Sequence, residues 1–524
     1  MHINDKKMII DQLTNFIKYR SDSATEHERA FESILLEAIK NIPYFQNHSA
    51  FYGAALIESD PLHRSVVWAL SGTEYSKTVI LFGHHDTVDL SDYGHLDGTI
   101  PEEIRAYFSE SEADASSGEW LFGRGSCDMK AGLVINLNQL RKATEGAYKH
   151  NILLISVPDE ETLSVGMRAA TELILELKEQ HQLNFELAVL TEPHERVSDD
   201  EIVLSSGSVG KMMPIIVTKG QSTHSGLAYK GLNSVAIAME VIKAIELNTE
   251  MGDVVDKRMT PPPTFLDLHT LREGYSVTTP EYTVATFNWL FLKGNLEYKM
   301  AQLKELCKWS AEDAINQYNY SYNEFLRKQN QPSYCDCHDI NFEILLYDEL
   351  VDRVKDQVDI DVLYNDIISA NKERSIQENT ALYIKALMGY LNADYPIVVI
   401  GLLPPFYPAV SSKAYFEDKL KAIIEAYSVE NDQKIKVDHY FMGISDMSYM
   451  KASPHEIYST LRLMPTFNRE YKLPYDAIDA LNIEVLHLGP WGKNLHLKGE
   501  RVFIEDVTTN IPKLMDHILC ELAK

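Results

Sequence analysis

A chain of 524 residues with 45% hydrophobic and 24% charged residues is long enough for two or three domains and can bury a large core. Its formal net charge of −28 excludes a polyanionic partner such as nucleic acid, because like charges would repel. Five cysteines without a framework spacing favour a reducing compartment over a disulfide-bonded scaffold.

The first elements along the chain are two amphipathic helices within residues 9–42. Three apolar runs of strand length follow, at residues 78–82, 152–157 and 187–190, and a helical segment at 164–179 lies between the last two. Apolar runs that are separated by helices and do not alternate with polar residues are typical of a parallel sheet covered on both faces. We therefore predict an α/β fold with a mostly parallel sheet.

The composition changes after residue 205, where a second group of elements begins. The predicted elements are a strand at 212–219, a helix at 233–248, a strand at 282–292, a helix at 297–327 and a strand at 341–347. This β-α-β-α-β order is typical of a small α+β domain inserted into a larger one. We expect the insert at residues 206–355, between the two parts of the main domain at 1–205 and 356–524. The second part continues with a helix at 380–391, a strand at 397–402 and a helix at 415–427.

Two stretches of the sequence bear on the cellular location. Residues 1–20 mix charged residues among the apolar ones and lack the apolar core and cleavage site of a signal peptide. Prolines interrupt the longest apolar stretch, at 395–410, so it cannot form a membrane helix. We expect a cytoplasmic protein without a membrane segment.

Side chains of the types that commonly bind metals follow the predicted strands. They are His84, Glu160, Glu161 and Glu192 after the three apolar runs, Asp128 in a glycine-rich loop, and His496 after a strand-like segment at 483–488. Ligands of open α/β sheets bind at the carboxyl ends of the strands, so we expect these side chains to share one site.

The residue types and their spacing indicate the chemistry of that site. Imidazoles and carboxylates without thiolates suit zinc, cobalt or manganese. Five such ligands are too many for one catalytic cation, but they fit two cations that share an aspartate. Three negatively charged ligands against the four positive charges of two divalent cations leave a net positive site. Such a site can polarise a carbonyl and acidify a bound water. His84 and Asp86 face the same way at a strand end, so Asp86 can hold the imidazole N–H. The adjacent Glu160 and Glu161 point apart, so one can bind metal while the other acts as a base.

Several short motifs occur in a fixed order between residues 83 and 500. They are Gly83-His84-x-Asp86-Thr87-Val88, Gly123-Arg124-Gly125, Asp128-Met129-Lys130, Asp159-Glu160-Glu161, Thr191-Glu192-Pro193 and His496-x-x-x-Glu500. In this order they resemble the M20 metallopeptidase family, which includes glutamate carboxypeptidases, aminoacylases and succinyl-diaminopimelate desuccinylase. The resemblance implies a zinc-exopeptidase-like fold and two divalent cations, with zinc as the first candidate and Asp128 bridging the two. It also implies that His84 and Glu192 complete one shell, that Glu161 and His496 complete the other, that Glu160 is the general base, and that the Asp128–Met129 peptide is cis.

The predicted insert carries a further resemblance, to the lid of that family. The segments Gly220-Gln221-Ser222-Thr223-His224-Ser225-Gly226 and Gly231-Leu232-Asn233-Ser234 are similar to a lid segment whose histidine, often supplied by the partner subunit, hydrogen-bonds the oxyanion. This implies that role for His224 and a homodimer formed through the lid, although relatives with enlarged lids can be monomers. Asn233 is either a substrate contact or a helix N-cap. The loop that contains Ser445 and Asp446 resembles the substrate-contacting loop of the family.

The sequence departs from the family pattern after the strand at 282–292. Where the family has an Asp-x-Arg triplet, this chain has Asn288-x-Leu290, so an arginine that would recognise a substrate carboxylate is absent there. The length of the chain and the extra material near 395–427 are most like the arginine-utilisation branch. The substrate stays open among an N-acyl amino acid, a dipeptide and an arginine-derived conjugate.

Three alternative interpretations accompany this one. The chain could be an inactive metal-binding scaffold of the same fold, although the base and all five ligand positions are intact. The segment Cys335-Asp336-Cys337-His338 could bind a metal, but it lacks a second ligand pair, and we expect a solvated loop. Cys127 has no partner histidine that would indicate a thiol nucleophile.

Overall fold

The computed structural model of the protein describes residues 3–196, 198–272, 274–293, 295–332, 340–451 and 454–524. The chain divides into two compact units. The first unit contains Met1–Val209, Ala409–Ala452 and Pro474–Lys524, and the second contains Gly210–Pro408 and Ser453–Leu473. The segment Cys335-Asp336-Cys337-His338, for which we predict a loop, lies outside the described residues.

Strands and helices are numbered separately in chain order. The strands are β1 (Tyr52–Leu56), β2 (Ser65–Leu70), β3 (Thr78–His84), β4 (Trp120–Phe122), β5 (Asn151–Val157), β6 (Phe185–Leu190), β7 (Glu201–Ser205), β8 (Gly207–Ser208), β9 (Gly210–Lys219), β10 (Val254–Val255), β11 (Arg258–Met259), β12 (Thr264–Thr270), β13 (Tyr282–Phe291), β14 (Glu343–Leu346), β15 (Ile397–Tyr407), β16 (Val410–Ser411), β17 (Lys434–Asp438), β18 (Val485–His487), β19 (Gly492–Lys493) and β20 (Arg501–Phe503). The helices are α1 (Ile3–Ile17), α2 (Glu26–Lys40), α3 (Pro43–Asn47), α4 (Pro101–Phe108), α5 (Ala113–Ser117), α6 (Lys130–Thr144), α7 (Val165–His181), α8 (Ser234–Ile245), α9 (Leu296–Lys328), α10 (Tyr347–Val354), α11 (Ile360–Ala370), α12 (Ile376–Gly389), α13 (Lys413–Tyr415), α14 (Lys421–Asn431), α15 (Pro454–Leu461), α16 (Tyr475–Leu481) and α17 (Ile511–Leu522).

The first unit is built on an eight-stranded sheet with the order β1-β2-β5-β3-β6-β18-β7-β17. Its central strands β5, β3, β6 and β18 pair in parallel, as do β7 and β17, while the β1–β2, β2–β5 and β18–β7 pairs are antiparallel. Every residue of β3 and β5 is buried, as expected for strands covered on both faces. The predicted α/β class is confirmed, and its parallel pairing holds at the centre of the sheet.

Helices cover both faces of this sheet. Helix α6 packs on β3 and β5, and helices α1 and α17 pack on α6. The apolar residues of these three helices form one core with Val79, Leu81 and Leu154 of the sheet. Helix α7 packs on β2 and β5 without joining that core, so it covers the other face. Helix α2 is amphipathic, as predicted, and begins where the Thr25 side chain accepts a hydrogen bond from the His27 N–H.

The second unit is built on a five-stranded sheet with the order β12-β13-β9-β15-β14. All pairs are antiparallel except β14 and β15, which are parallel. Helices α8 and α9 pack on each other, and α8 packs on β9 and β13. Helices α10 and α12 form a separate core with Val217, Val284 and Val399, so the sheet lies between two helical layers. The predicted strands and helices at 212–347 are confirmed.

The boundary of the insert differs from the predicted one. We expected the chain to return to the main domain after residue 355, but the second unit continues to Pro408 and also includes Ser453–Leu473. The reason is β15, which pairs with both β9 and β14 inside the second sheet and therefore keeps its residues there. The Tyr471 hydroxyl reinforces this arrangement, since it donates to the Phe406 carbonyl and accepts from the Phe406 N–H.

The proline-containing stretch at 395–410 forms β15 rather than a helix, and its Pro404–Pro405 peptide is cis. The pairing of β15 with β9 shifts register between Leu403 and Tyr407, which accommodates the prolines in a buried strand. Among the described residues, no helix combines the length and the apolar character that a bilayer span requires.

Candidate active site

The carboxyl ends of three parallel strands deliver polar side chains to one edge of the first sheet. His84 is the last residue of β3, Glu160 and Glu161 follow β5, and Glu192 follows β6. The loop between β4 and α6 supplies Asp128. Parallel neighbours end at the same edge, which explains why residues distant in sequence come together at this point.

One group of donor atoms surrounds the His84 imidazole. His84 Nε2 lies 3.1 Å from Asp128 Oδ1 and 3.9 Å from Glu192 Oε1. One ligand atom each of His84, Glu160 and Glu192 also lies within 4.8 Å of the other two. These are the separations of atoms that can share a cation, because ligands about 2.1 Å from zinc lie roughly 3–4 Å from each other.

A second group surrounds the His496 imidazole. His496 Nε2 lies 3.0 Å from Asp128 Oδ2 and 3.1 Å from Glu161 Oε1. Asp128 therefore faces His84 with one carboxylate oxygen and His496 with the other. His84, Asp128 and Glu161 form a further set whose ligand atoms lie within 4.8 Å of one another. The arrangement offers two adjacent sets of nitrogen and oxygen donors with a shared aspartate.

The charge of the site fits cations. Four carboxylates and two imidazoles converge, and Glu192 Oε1 is buried without a hydrogen-bond partner among the described residues. A buried carboxylate oxygen without a donor is costly unless a cation satisfies it. The donor set contains no thiolate and is the type that zinc, cobalt or manganese accepts. Divalent cations of this class therefore fit the residues present.

The pKa values of the ligand side chains are strongly perturbed. Burial raises the pKa of Glu160 and of Glu192 well above the usual range, and the negative charges of neighbouring carboxylates raise them further. Burial alone would raise the pKa of Asp128, but its hydrogen bonds to His496 and His84 bring it below the usual range. Hydrogen bonds to Asp128 and Glu161 raise the pKa of His496 to about 10. Positive charge is thus favoured throughout this cluster.

Asp86 connects the His84 imidazole to the loop that carries Glu160 and Glu161. The Glu160 and Glu161 N–H groups donate to Asp86 Oδ1 and Oδ2, both at 3.1 Å. His84 Nδ1 lies 3.1 Å from the main-chain carbonyl of Asp86 and 3.5 Å from its carboxylate. The predicted contact with the imidazole is thus made chiefly by the carbonyl, while the carboxylate fixes the neighbouring loop.

Other polar residues fix the main chain of the ligands. Glu500 accepts hydrogen bonds from the Asp128 and Cys127 N–H groups, and the Arg124 guanidinium donates to Glu500. The Asp128–Met129 peptide is cis, as expected. His487 Nε2 lies 2.8 Å from the main-chain carbonyl of Glu192, a contact that we did not predict. Since His487 ends β18, the rule that strand ends carry site residues would have identified it.

His224 and Asn233 belong to the second unit. His224 is exposed and lies at the start of a 3₁₀ turn, Ser225–Lys230, where its Nδ1 accepts the Gly226 N–H at 3.1 Å. In the neutral ring the proton is therefore on Nε2, which leaves that atom as a donor. The Asn233 side chain accepts the Val235 N–H and caps α8, so the N-cap interpretation accounts for it.

Ser445 and Asp446 lie in the first unit and are fully buried. The Ser445 hydroxyl oxygen accepts the Met447 N–H, and Asp446 Oδ1 accepts the Ser164 hydroxyl. Ser164 is the N-cap residue of α7 and follows the loop that carries Glu160. These contacts tie both residues to the interior of the unit, and a substrate contact by either stays a prediction.

An α/β chain with carboxylates and imidazoles clustered at adjacent strand ends has the architecture of a metal-dependent hydrolase. The model of peptidase family M20/M25/M40 matches residues 81–473, which is well over half of the sequence. The chain belongs to this family.

The chain is also similar to individual proteins and to a solved structure. The chain is 32% identical to the uncharacterized protein YqjN of Bacillus subtilis strain 168, over 100% of this chain and 98% of that one. It is 24% identical to protein RocB of the same strain, over 96% of this chain and 92% of RocB. The solved structure of Bacillus subtilis YXEP, described as a dinuclear metal binding peptidase from the M20 family, matches with a TM-score of 0.51 at 11% identity, over 99% and 98% of the two chains.

Proposed function

We propose that the protein is a hydrolase that depends on two divalent cations and cleaves an amide bond in a short peptide or an N-acyl amino acid. The observation that carries this proposal is the position of Asp128, whose two carboxylate oxygens face the two donor groups separately. His84 and Glu192 would hold one cation, and His496 and Glu161 the other. Zinc is our first choice, and the same donors accept cobalt or manganese.

Cations held there would polarise the scissile carbonyl and lower the pKa of the attacking water. The residues of the chain would then move the proton. Glu160 is the carboxylate in this cluster that we assign to no cation, and it lies with His84 and Glu192 at the same edge. We assign it the roles of taking the proton from water and of returning it to the leaving amine.

His224 is our proposed donor to the oxyanion. The Gly226 N–H occupies its Nδ1, so its Nε2–H is available for an external acceptor. A donor directed at the developing negative charge contributes about 3 kcal/mol to catalysis. We propose that the histidine comes from a second copy of the chain, because the resemblance to the family's lid includes this segment.

A homodimer through the second unit is part of this proposal. Strand β12 is an edge strand of the five-stranded sheet, and its Leu266 and Leu268 are exposed. An edge strand with apolar side chains and unpaired backbone groups is suited to pairing with another chain. We also propose a cytoplasmic location, on the basis of the composition.

For the substrate we propose a class of compounds rather than a single compound. We propose the arginine-utilisation branch of the family, on the basis of the length of the chain and its extra segment near 395–427. The strand β13 has Asn288 and Leu290 where many M20 members have an aspartate and an arginine, which argues against substrates recognised by a carboxylate at that position. An N-acyl amino acid or a dipeptide with a basic side chain is the class to test first.

The deciding experiment is the variant Glu160→Gln. The wild-type protein is first screened against N-acyl amino acids and dipeptides with zinc, cobalt and manganese. The variant should lose about 10²–10⁴-fold in kcat, because it cannot accept a proton, while metal analysis still finds two cations per chain. Unchanged kcat in the variant would remove Glu160 from the mechanism. A wild-type protein that binds two cations but turns over no amide would favour the inactive scaffold instead.

A further inference from the structure

A buried arginine lies behind the loop that carries Glu160 and Glu161. Arg64 precedes β2, and its Nε and Nη2 donate to the two carboxylate oxygens of Asp60, both at 2.9 Å. Its Nη1 donates to Glu28 Oε2 at 2.6 Å and to Asp159 Oδ1 at 2.7 Å. None of these four side chains is more than 5% exposed. One guanidinium thus joins three carboxylates from separate parts of the first unit.

Asp159 transmits this anchoring to the loop. Its carboxylate accepts the Thr162 hydroxyl at 2.6 Å and the Leu163 and Val165 N–H groups at 3.3 and 3.2 Å. Its own N–H donates to Glu28 Oε1 at 2.8 Å. Asp159 has φ +70°, in the left-handed region that a non-glycine residue occupies only when its surroundings require it. The contacts of Asp159 therefore help to fix the conformation of the loop.

The loop has two supports of different origin. Asp86, which belongs to a family motif, accepts the N–H groups of Glu160 and Glu161. Glu28, Asp60 and Arg64 precede residue 81, where the match to the family begins. Arg64, Asp60 and Glu28 are consequently not part of the matched region, and only their partner Asp159 belongs to a motif within it.

We propose that Arg64 is a positioning residue for the reaction. By fixing Asp159 it sets where Glu160 and Glu161 lie relative to His84, Asp128 and Glu192, which other elements carry. This inference rests on the proposed function, in which Glu160 transfers the proton and Glu161 holds a cation. The role needs arginine, because only its planar fork can donate in four directions from one rigid group.

The variant Arg64→Lys tests the inference. A lysine keeps the charge but cannot reach Asp60, Glu28 and Asp159 together, so the loop should shift. A displacement of about 1 Å can cost roughly 10²-fold in rate, so we expect kcat to fall about 10²-fold with KM changed less than about threefold. Calorimetric titration of the metal-free protein with zinc should show about 10-fold or greater weakening of the site that contains Glu161, with the site of His84 and Glu192 unchanged.

A matched control separates positioning from general destabilisation. Arg196 pairs with Asp506 in the same unit, and the two side chains are only 2% and 0% exposed, but neither contacts the Asp159–Val165 loop by any described hydrogen bond. Arg196→Lys should lower Tm as Arg64→Lys does, and leave kcat and both zinc affinities near the wild type. Equal losses in the two variants, or an Arg64→Lys protein with wild-type kcat and affinities, would overturn the inference.

A second variant covers the case in which Arg64→Lys does not fold. Glu28→Gln retains Arg64 but removes the negative charge and replaces one of the two oxygens that accept from Arg64 and from the Asp159 N–H with an NH₂ group. The same split between the two zinc sites is therefore expected on a smaller scale. A folded Glu28→Gln protein with wild-type kcat and both affinities would then overturn the inference. The Glu160→Gln variant distinguishes a failure of the positioning role from a failure of the proposed function. If Glu160→Gln is inactive and the Arg64 and Glu28 variants are fully active, only the positioning role fails. An active Glu160→Gln protein removes Glu160 from the proposed mechanism, and a wild-type protein that turns over no amide removes the proposed function itself.

Discussion

The two units support their functional side chains in different ways. In the first unit, His84, Asp128 and Glu192 are buried, and their main chain or side chain contacts residues from several elements. In the second unit, His224 is exposed, and its described side-chain bond is to Gly226, two residues away. A prearranged cluster of charges is suited to holding cations, whereas an exposed donor acts only when a ligand reaches it. Loss of a first-unit metal ligand should therefore alter metal binding, and loss of His224 should alter turnover alone.

The largest effect that would test this contrast is expected from His224→Ala. Removing one oxyanion donor costs about 10²–10³-fold in kcat. Zinc affinity should not change, because the histidine holds no cation in the proposed mechanism. Steady-state kinetics and zinc titration measure the two quantities, and His48→Ala in the first unit is the control for losing an exposed histidine. Weaker zinc binding in His224→Ala would break the contrast.

The same variant shows which subunit supplies the histidine. Mixed dimers of His224→Ala and Glu160→Gln chains contain one intact site if His224 acts on the neighbouring chain, so activity should reappear after the two inactive proteins are mixed and allowed to exchange. If the two chains carry different affinity tags and sequential purification on both tags isolates mixed dimers, an inactive preparation would show that His224 acts on the site of its own chain.

An intermediate effect is expected from His487→Phe in the first unit. The ring can still stack on His194, at a centroid distance of 3.7 Å in the wild type, but the hydrogen bond to the Glu192 carbonyl is lost. Loss of an outer contact to a ligand costs about 10–100-fold in metal affinity, so we expect that loss for zinc and near-normal kcat at saturating metal. His194→Phe keeps the hydrogen bond and should bind zinc as the wild type does. Equal affinities in the two variants would contradict the assignment.

The smallest effect is expected from Asn233→Ala. Loss of an N-cap side chain costs about 1 kcal/mol of stability, which thermal unfolding would detect as a lower Tm. Asn233→Asp retains the cap and should restore Tm. If KM rises in both variants, Asn233 contacts substrate in addition to capping α8, and the second unit would then hold more of the site than His224.

Much of the fold and most of the clustering could be predicted from local sequence. Unalternating apolar runs identified β3, β5 and β6, and the residues that follow them did converge, because parallel strands end at the same edge. The histidine that follows β18 in the chain, His496, also reaches the cluster. These successes depend on periodicity and position, which a single sequence contains.

The remainder depends on contacts between distant residues. The end of the insert was misplaced because the pairing of β15 with β9 and β14 has no local signal. Arg64 could not be singled out because an arginine before a strand is usually exposed, and its three carboxylate partners lie as far as 95 residues away. Likewise, nothing near Asp446 indicated that Ser164 would hold its carboxylate inside the unit.

The chain passes between the two units four times, at residues 209–210, 408–409, 452–453 and 473–474. No single cut of the gene can release either unit as one continuous polypeptide. Expressing the second unit alone would require joining 210–408 to 453–473 with a new connection. A protease that nicked the chain once between residues 210 and 473 would leave both units composed of pieces from each side of the break. Truncation is therefore a poor tool for assigning function in this protein, and point substitutions are the appropriate one.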